Sequence, residues 1–231
     1  MRKQFEMQME AMHMQMIQMG ALCEQAITQT NTALLEGDRE LAKATIELDQ
    51  EIDAKEREIE NLCLKLLLQQ QPVAGDLRKI SAALKMITDM ERIGDQAADI
   101  AEISLLMDKA KEGSIRDRLI REMARETARM VTESIDAYVR KDGALAKKVI
   151  DDDDVVDGLF DQIRSELIEN IRSGYSDGSN TVNVLMIAKY FERIGDHATN
   201  IAEWVEFAMT GKKPEMIAKP EADEAGSKKD K

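Results

Sequence analysis

Glu91, Asp95 and Asp99 follow one another at four-residue spacing within the block ERIGDQAADIAE, and Glu192, Asp196 and Asn200 hold the same places in ERIGDHATNIAE. Nine of the twelve positions are identical, at a constant offset of 101 residues. On an α-helix a step of four advances about 40° around the axis, so each triplet lines one narrow stripe. Like charges at this spacing repel by a few tenths of a kcal/mol, roughly, and weaken an isolated helix. Making that choice twice points to a compensating cation or basic partner. A second acidic pair is also duplicated: Asp49 and Asp53 correspond to Asp153 and Asp157 at an offset of 104. Carboxylate oxygens are hard ligands suited to Mg, Mn, Ca or Fe, and they bridge ions when several converge. Spacing alone leaves two readings open, a multinuclear metal site or a solvated acidic face with Arg92 and Arg193 as counter-charges.

Other chemistry finds little support. His197 follows Asp196 but points about 100° away around the helix, and its counterpart in the first copy is Gln96. Glu10 and His13 form a single Glu-x-x-His, whereas a ferritin-like di-iron oxidase needs two such motifs. With two histidines in the chain, no Ser/His/Asp or Cys/His set assembles, which argues for no catalytic residues. Gly94 and Gly195 lie in mid-helix rather than in a phosphate-cradling turn, and read as places where a neighbouring helix or a metal approaches closely. Cys23 and Cys63 lie in apolar helical stretches and read as small buried hydrophobes. In the run Asp151 to Asp154, at most two residues share a helical face, so Asp151, Asp152 and Asp154 read as surface charge.

The elements that must hold these groups are helical throughout. Breakers cluster at Glu36-Gly37-Asp38, Gln71 to Asp76, Glu112-Gly113-Ser114, Asp142-Gly143 and Gly174 to Asn180. Between them the periodicity predicts six helices near 2–36, 38–70, 75–111, 114–141, 143–173 and 179–210, with Asp38, Asp76, Ser114 and Ser179 as N-caps. The repeat extends to ALLEGDRELAKATI (Ala33 to Ile46) against AYVRKDGALAKKVI (Ala137 to Ile150), matching Asp38 to Asp142. Each repeat is therefore three helices, with acidic pairs on the second and third. The offset drops from 104 to 101 because the second unit lacks the Pro72 to Arg78 stretch. These patterns divide the chain into a first repeat over 1–111, a second over 112–210, and a disordered tail over 211–231. On the first helix, Phe5, Met9, Met12, Met16, Met19 and Cys23 form an apolar stripe, which Met7 and Met14 are expected to widen.

The composition agrees. Of 231 residues, 43% are hydrophobic and only 3% aromatic, so Met, Leu, Ile and Ala must do the packing. A net charge of −13 disfavours nucleic acid or anionic lipid as the main partner. No apolar run is long enough for a transmembrane helix and the first residues show no secretory signal pattern, which predicts a soluble cytoplasmic protein.

At the residues described, the chain resembles the PhoU family, regulators attached to bacterial high-affinity phosphate transport. The resemblance runs from Met1 to about Thr210. It includes the opening MRKQF, Asp49-x-x-x-Asp53, the connection QPVAGDLR (Gln71 to Arg78) and both copies of ERIGDxAxxIAE. It implies two tandem three-helix bundles related by pseudo-twofold symmetry, multinuclear clusters of iron, zinc or another divalent cation such as Mg or Mn, and a homodimer. The implied ligands are Asp49, Asp53, Glu91, Asp95 and Asp99 in the first unit and Asp153, Asp157, Glu192, Asp196 and Asn200 in the second. The implied role is a non-enzymatic adaptor, peripheral to the membrane complex, that contacts the transporter ATPase and restrains the phosphate-sensing histidine kinase. Rival readings are a carboxylate-bridged di-metal oxidoreductase of ferritin-like type and a purely structural helical scaffold.

Overall fold

The computed structural model describes residues 2–70, 72–107, 115–174 and 178–212. Six long helices account for nearly all of them: α1 (Arg2–Glu36), α2 (Arg39–Gln70), α3 (Ala74–Leu106), α4 (Ile115–Arg140), α5 (Gly143–Arg172) and α6 (Gly178–Thr210). Among the described residues there is no strand. The fold is all-α, as the periodicity predicts.

The turns show the duplication at the level of single hydrogen bonds. Gly37 ends α1 with φ 69° and Lys141 ends α4 with φ 53°. Just past them the amides of Asp38 and Asp142 reach back to the carbonyls of Ala33 and Ala137, at 3.1 and 2.9 Å. That six-to-one bond over a left-handed residue is the Schellman closure of a helix. Both aspartates then cap the next helix. Asp38 Oδ1 accepts from the amides of Glu40 and Leu41, and Asp142 Oδ1 from those of Ala144 and Leu145. Asp38 was the expected cap; Asp142 is its unpredicted twin. Asp76 is not a cap, because α3 starts earlier, after Val73, which makes no side-chain cap bond. Asp76 lies instead in the first turn, where its charge suits the helix dipole. The third helix stops at Leu106, with extended backbone at Met107. Ser114 lies outside the described residues, as do the side chain of Ser179 and the tail beyond residue 212.

Met12 meets Cys63 while Gln18 meets Lys55, so α1 and α2 run antiparallel. Packing follows one scheme twice: α1, α2 and α3 contact one another pairwise, and so do α4, α5 and α6. The bundles join through α3 against α6 and α1 against α4, each helix facing its own repeat equivalent, the pattern a pseudo-twofold axis requires. The peripheral helices α2 and α5 stay within their own bundles. One buried apolar cluster runs through both bundles, from Met12 to Val205. The repeated positions match in burial: Ile93, Ala97, Ile100 and Ala101 are fully enclosed, and so are Ile194, Ala198, Ile201 and Ala202.

On α1, Met12, Met16, Met19 and Cys23 are buried and Phe5 and Met9 are half-buried, as expected of a core stripe. Met7 and Met14 do not widen it. They are 67% and 48% exposed, because at about 100° per residue they fall on the face turned away from α2 to α4. Both cysteines are buried free thiols, with burial holding Cys63 up at about 12, so neither is a ready nucleophile.

Candidate metal centre

The acidic stripes lie where α2 crosses α3 and where α5 crosses α6. Their placement depends on the two mid-helix glycines. A Cβ at Gly94 would sit 2.9 Å from both Asp49 Oδ1 and Ile52 Cδ1, and one at Gly195 would sit 3.4 Å from Val156 Cγ1 and 3.7 Å from Asp153 Oδ1. Val156 and Asp153 are the repeat equivalents of Ile52 and Asp49, so the same contact is made twice. Glycine lets the second helix of each unit lie close enough to bring its acidic pair against the stripe on the third.

In the first unit this closeness gathers Asp49, Asp53 and Asp95. One carboxylate oxygen from each lies within 4.8 Å of the others, and among the described residues this is the one group of three or more potential ligands that meets so closely. Asp49 Oδ1 is buried and accepts no hydrogen bond. Burial, then the charges of Asp95, Asp53 and Asp99, push the Asp49 carboxyl up to about 6. Burial also raises Glu91, reinforced by Asp95. Compensation is partial: Arg92 meets Glu91 at 3.3 Å and Asp95 at 2.7 Å, and Arg57 meets Asp53 at 3.3 Å, all toward solvent. A buried, unpartnered carboxylate oxygen amid further carboxylates is costly by itself and suits a hard divalent cation. The donor set of this first unit therefore fits a metal of the kind the family resemblance implies, and Asp49, Asp53, Asp95, Glu91 and Asp99 are the residues able to hold it.

Two residues of this neighbourhood, Glu56 and Tyr190, were not singled out from sequence, and a third, Arg193, was named only as a counter-charge. Glu56 continues the acidic stripe one turn beyond Asp53 and faces Glu91 and Arg92; burial, then Glu60 and Asp53, raise its pKa. The three-to-four-residue spacing of Asp49, Asp53 and Glu56 was the available signal. Tyr190 and Arg193 arrive from the other bundle, on α6. Burial raises Asp99, against the hydrogen bond from the Tyr190 hydroxyl and the nearby charge of Arg193. No local pattern places these two beside the first unit's stripe, since only the packing of α3 on α6 brings them there.

The second unit places its residues differently. Asp153, Asp157, Glu192 and Asp196 are half-buried along the α5–α6 crossing. Glu192 pairs with Lys189, whose ammonium lies 5.3 Å over the Phe160 ring. Asn200 turns across the bundle interface, its Nδ2 donating to Asp89 Oδ1 at 3.0 Å, and His197 Nδ1 meets the same oxygen at 2.9 Å. Asp89 is the repeat equivalent of Tyr190, and Asn200 that of Asp99. The pseudo-twofold axis thus relates Asp99–Tyr190 to Asn200–Asp89, and each pair contains one carboxylate and a neutral donor. Asp152 is not plain surface charge: Arg129 and Lys148 bind it at 2.7 and 3.1 Å and also share Glu133, which lowers its pKa against the cost of burial. Asp151 and Asp154 are exposed, as expected. His13 of the single Glu-x-x-His bonds the Tyr138 hydroxyl at 3.0 Å.

Two tandem three-helix bundles with carboxylates gathered at a glycine-spaced helix crossing define a class of duplicated, all-helical proteins with a candidate metal centre. Comparison with known proteins says which class: the PhoU domain profile matches twice, over residues 16–104 and 120–205, once in each bundle. The chain is 36% identical over 216 residues to the phosphate-specific transport system accessory protein PhoU homolog of Clostridium acetobutylicum, covering 93% of this chain and 98% of that one. The homolog from Pseudomonas aeruginosa is 32% identical over 209 residues, covering 90% and 86%. The crystal structure of PhoU from Pseudomonas aeruginosa superimposes with a TM-score of 0.86 at 32% identity, over 90% of this chain and all of that one. This chain belongs to the PhoU domain family.

Proposed function

We propose that the chain is an accessory regulator of a phosphate-specific transport system, acting as a metal-binding adaptor that restrains the phosphate-starvation response. The observation that carries the metal part is the buried, unpartnered Asp49 Oδ1 within the Asp49–Asp53–Asp95 group. A bound iron, zinc, magnesium or manganese ion supplies the positive charge that this group lacks. Asp49, Asp53, Glu91, Asp95 and Asp99 hold it in the first unit, and Asp153, Asp157, Glu192, Asp196 and Asn200 are the corresponding set in the second.

The transport part rests on the family and on what its members are named for. Among the described residues no helix is long and apolar enough to cross a membrane. In the proposed role the adaptor is a homodimer on the cytoplasmic side, docked on the transporter ATPase and the sensor histidine kinase. With an excess of acidic residues its docking face meets basic patches, and binding weakens as salt screens them. The ferritin-like reading gains nothing from His13, which bonds Tyr138.

Metal content is tested by elemental analysis of protein purified without chelator. Metal is expected, and Asp95→Ala with Asp99→Ala is expected to empty the first unit; unchanged stoichiometry in that variant overturns the assignment, and no metal in the wild type leaves a plain scaffold. Capture of the host's kinase and ATPase at low salt, and constitutive starvation genes in a deletion strain, are expected for the adaptor. Normal repression with no capture rules it out.

A further inference from the structure

At the far end of α3 from the carboxylates, the two bundles enclose a cavity of about 570 Å³ between the first turns of α1 and α3 and the last turns of α4 and α6. Ala82 on its wall and Asp95 in the acidic group lie thirteen residues apart on one helix, about 20 Å. The volume falls within the range of small-molecule sites, roughly 300–1,000 Å³.

Its lining is bipolar. Phe5, Met9 and Met209 give apolar surface, and beside them His13 and Tyr138 form a hydrogen-bonded pair with ring centroids 5.2 Å apart. Arg78, Lys79 and Lys141 supply three cations, and among the described residues none of them forms an ion pair, although the chain carries 45 acidic residues. Arg78 Nε is buried without a hydrogen-bond partner, and Gly211 leaves open the space its guanidinium occupies. Glu6, Glu10 and Asp76 line the same cavity.

Two further observations set these cations apart from ordinary surface charge. Arg78 closes the Pro72 to Arg78 stretch that the second repeat lacks, and Lys79 falls opposite the uncharged Asn180 at the offset of 101, so these cations belong to the asymmetric part of a symmetric molecule. Lys141 is the one non-glycine with positive φ among the described residues, at the position where the first repeat uses Gly37. A lysine is strained in the left-handed conformation where glycine is not, and here that lysine lines the cavity.

We propose that this cavity binds a small organic phosphate with a flat heteroaromatic body, of the nucleoside monophosphate class. The guanidinium and two ammonium groups take the phosphate through charge-assisted hydrogen bonds. The flat body lies against Phe5, Tyr138 and the methionine thioethers, which suit aromatic faces. Ring amino groups donate to Glu10 and Asp76. A purely aliphatic acid would leave those carboxylates against hydrocarbon, which disfavours lipid.

The full-length protein is titrated with AMP, adenosine and inorganic phosphate by calorimetry, with methyl-labelled methionines followed by NMR. Saturable AMP binding is expected, with shifts at the Met9, Met12 and Met209 methyls but not at Met90 or Met123. Adenosine and inorganic phosphate are each expected to bind at least tenfold more weakly. Arg78→Gln and Lys141→Gly are each expected to weaken AMP about tenfold, the loss of a charged hydrogen bond. Lys141→Gly suits its backbone and keeps the fold, which thermal unfolding verifies. No saturable binding at 1 mM (roughly the weak end of specific binding), adenosine or phosphate equal to AMP, shifts confined to other methyls, or full affinity in the folded Lys141→Gly variant each overturns the assignment. Metal content plays no part in these readouts, so the cavity can fail while the metal centre stands.

Discussion

In the first bundle a Cβ at Gly94 would meet Ile52 Cδ1 and Asp49 Oδ1 at 2.9 Å, while in the second one at Gly195 would meet Val156 Cγ1 at 3.4 Å and Asp153 Oδ1 at 3.7 Å, although both aspartate oxygens are shut off from solvent. The difference traces to single side chains. Ile52 carries one methylene more than Val156 and reaches further over its glycine. Across the bundle interface, Asp99 meets a tyrosine hydroxyl whereas Asn200 meets the carboxylate of Asp89. A duplicated backbone can thus hold two acidic crossings of unlike character, one crowded with carboxylates and one drawn into the contact between bundles. Where two equivalent helices face each other, a substitution on one is answered on the other: aspartate at 99 goes with tyrosine at 190, and asparagine at 200 with aspartate at 89.

The glycines give the sharpest way to break this comparison. Gly94→Ala is expected to destabilise the protein by about 2 kcal/mol, because the new methyl meets a fully buried Ile52 and drives Asp49 toward its neighbouring acids. Gly195→Ala meets ordinary packing distances and gains helix propensity, so it is expected to be neutral or stabilising by up to about 1 kcal/mol. Equal losses in denaturant unfolding would show that the two crossings are equally tight.

Asn200→Asp makes the second copy read like the first. It sets a carboxylate against Asp89, whose side chain is only 14% exposed, and removes the donor at 3.0 Å. A loss of about 1–2 kcal/mol at pH 7 is expected from like-charge contact and a lost hydrogen bond. Adding Asp89→Tyr to the same chain, which copies the Tyr190 partner of the first pair, is expected to recover part of it. A neutral single variant would mean that the Asp89 contact contributes nothing.

The charge crowding itself is tested by pH. The folded Asp49 carboxyl titrates at about 6, above its ordinary 3.8, so the folded state holds this proton more tightly than the unfolded chain. Between those values the folded state binds more protons, and stability contributed by Asp49 falls as pH rises from about 4 to about 6. Because the residue is only partly buried, the effect is discounted to about 1 kcal/mol. Chelator-treated protein is expected to lose this amount across that window, and Asp49→Asn to remove the dependence and be the more stable at pH 7. No pH dependence of the wild type relative to Asp49→Asn would sink the claim of crowding.

Tyr190→Phe is the smallest expected change, about 0.5–1 kcal/mol, as one partly exposed hydrogen bond to Asp99 is lost. Its diagnostic sign is a higher Asp99 pKa by NMR titration, since the hydroxyl favours the ionised form. An unchanged Asp99 titration would place Tyr190 outside the site.

Much of this was legible without coordinates. Helix period, breakers and the doubled block put five helices within one residue of their observed bounds, and missed only the end of α3, which stops at Leu106 rather than 111, because amphipathic spacing and left-handed or proline-bearing turns are local properties of the chain. The offset of 104 already aligned Asp38 with Asp142 and Gly37 with Lys141, and the stripes of Glu91, Asp95 and Asp99 and of Glu192, Asp196 and Asn200 follow from helix geometry alone. What tertiary structure decided is everything that passes between helices. Only packing could show that Asp49 Oδ1 ends without a partner, that Glu56, Tyr190 and Arg193 join the first acidic face, or that Asn200 serves Asp89. Only packing gathered Arg78, Lys79 and Lys141 around one cavity from residues up to 63 positions apart. The reason is physical: a helix's period tells which residues share a face, but burial, partner identity and charge depend on what that face meets, and in an antiparallel bundle that neighbour lies tens to hundreds of residues away in sequence.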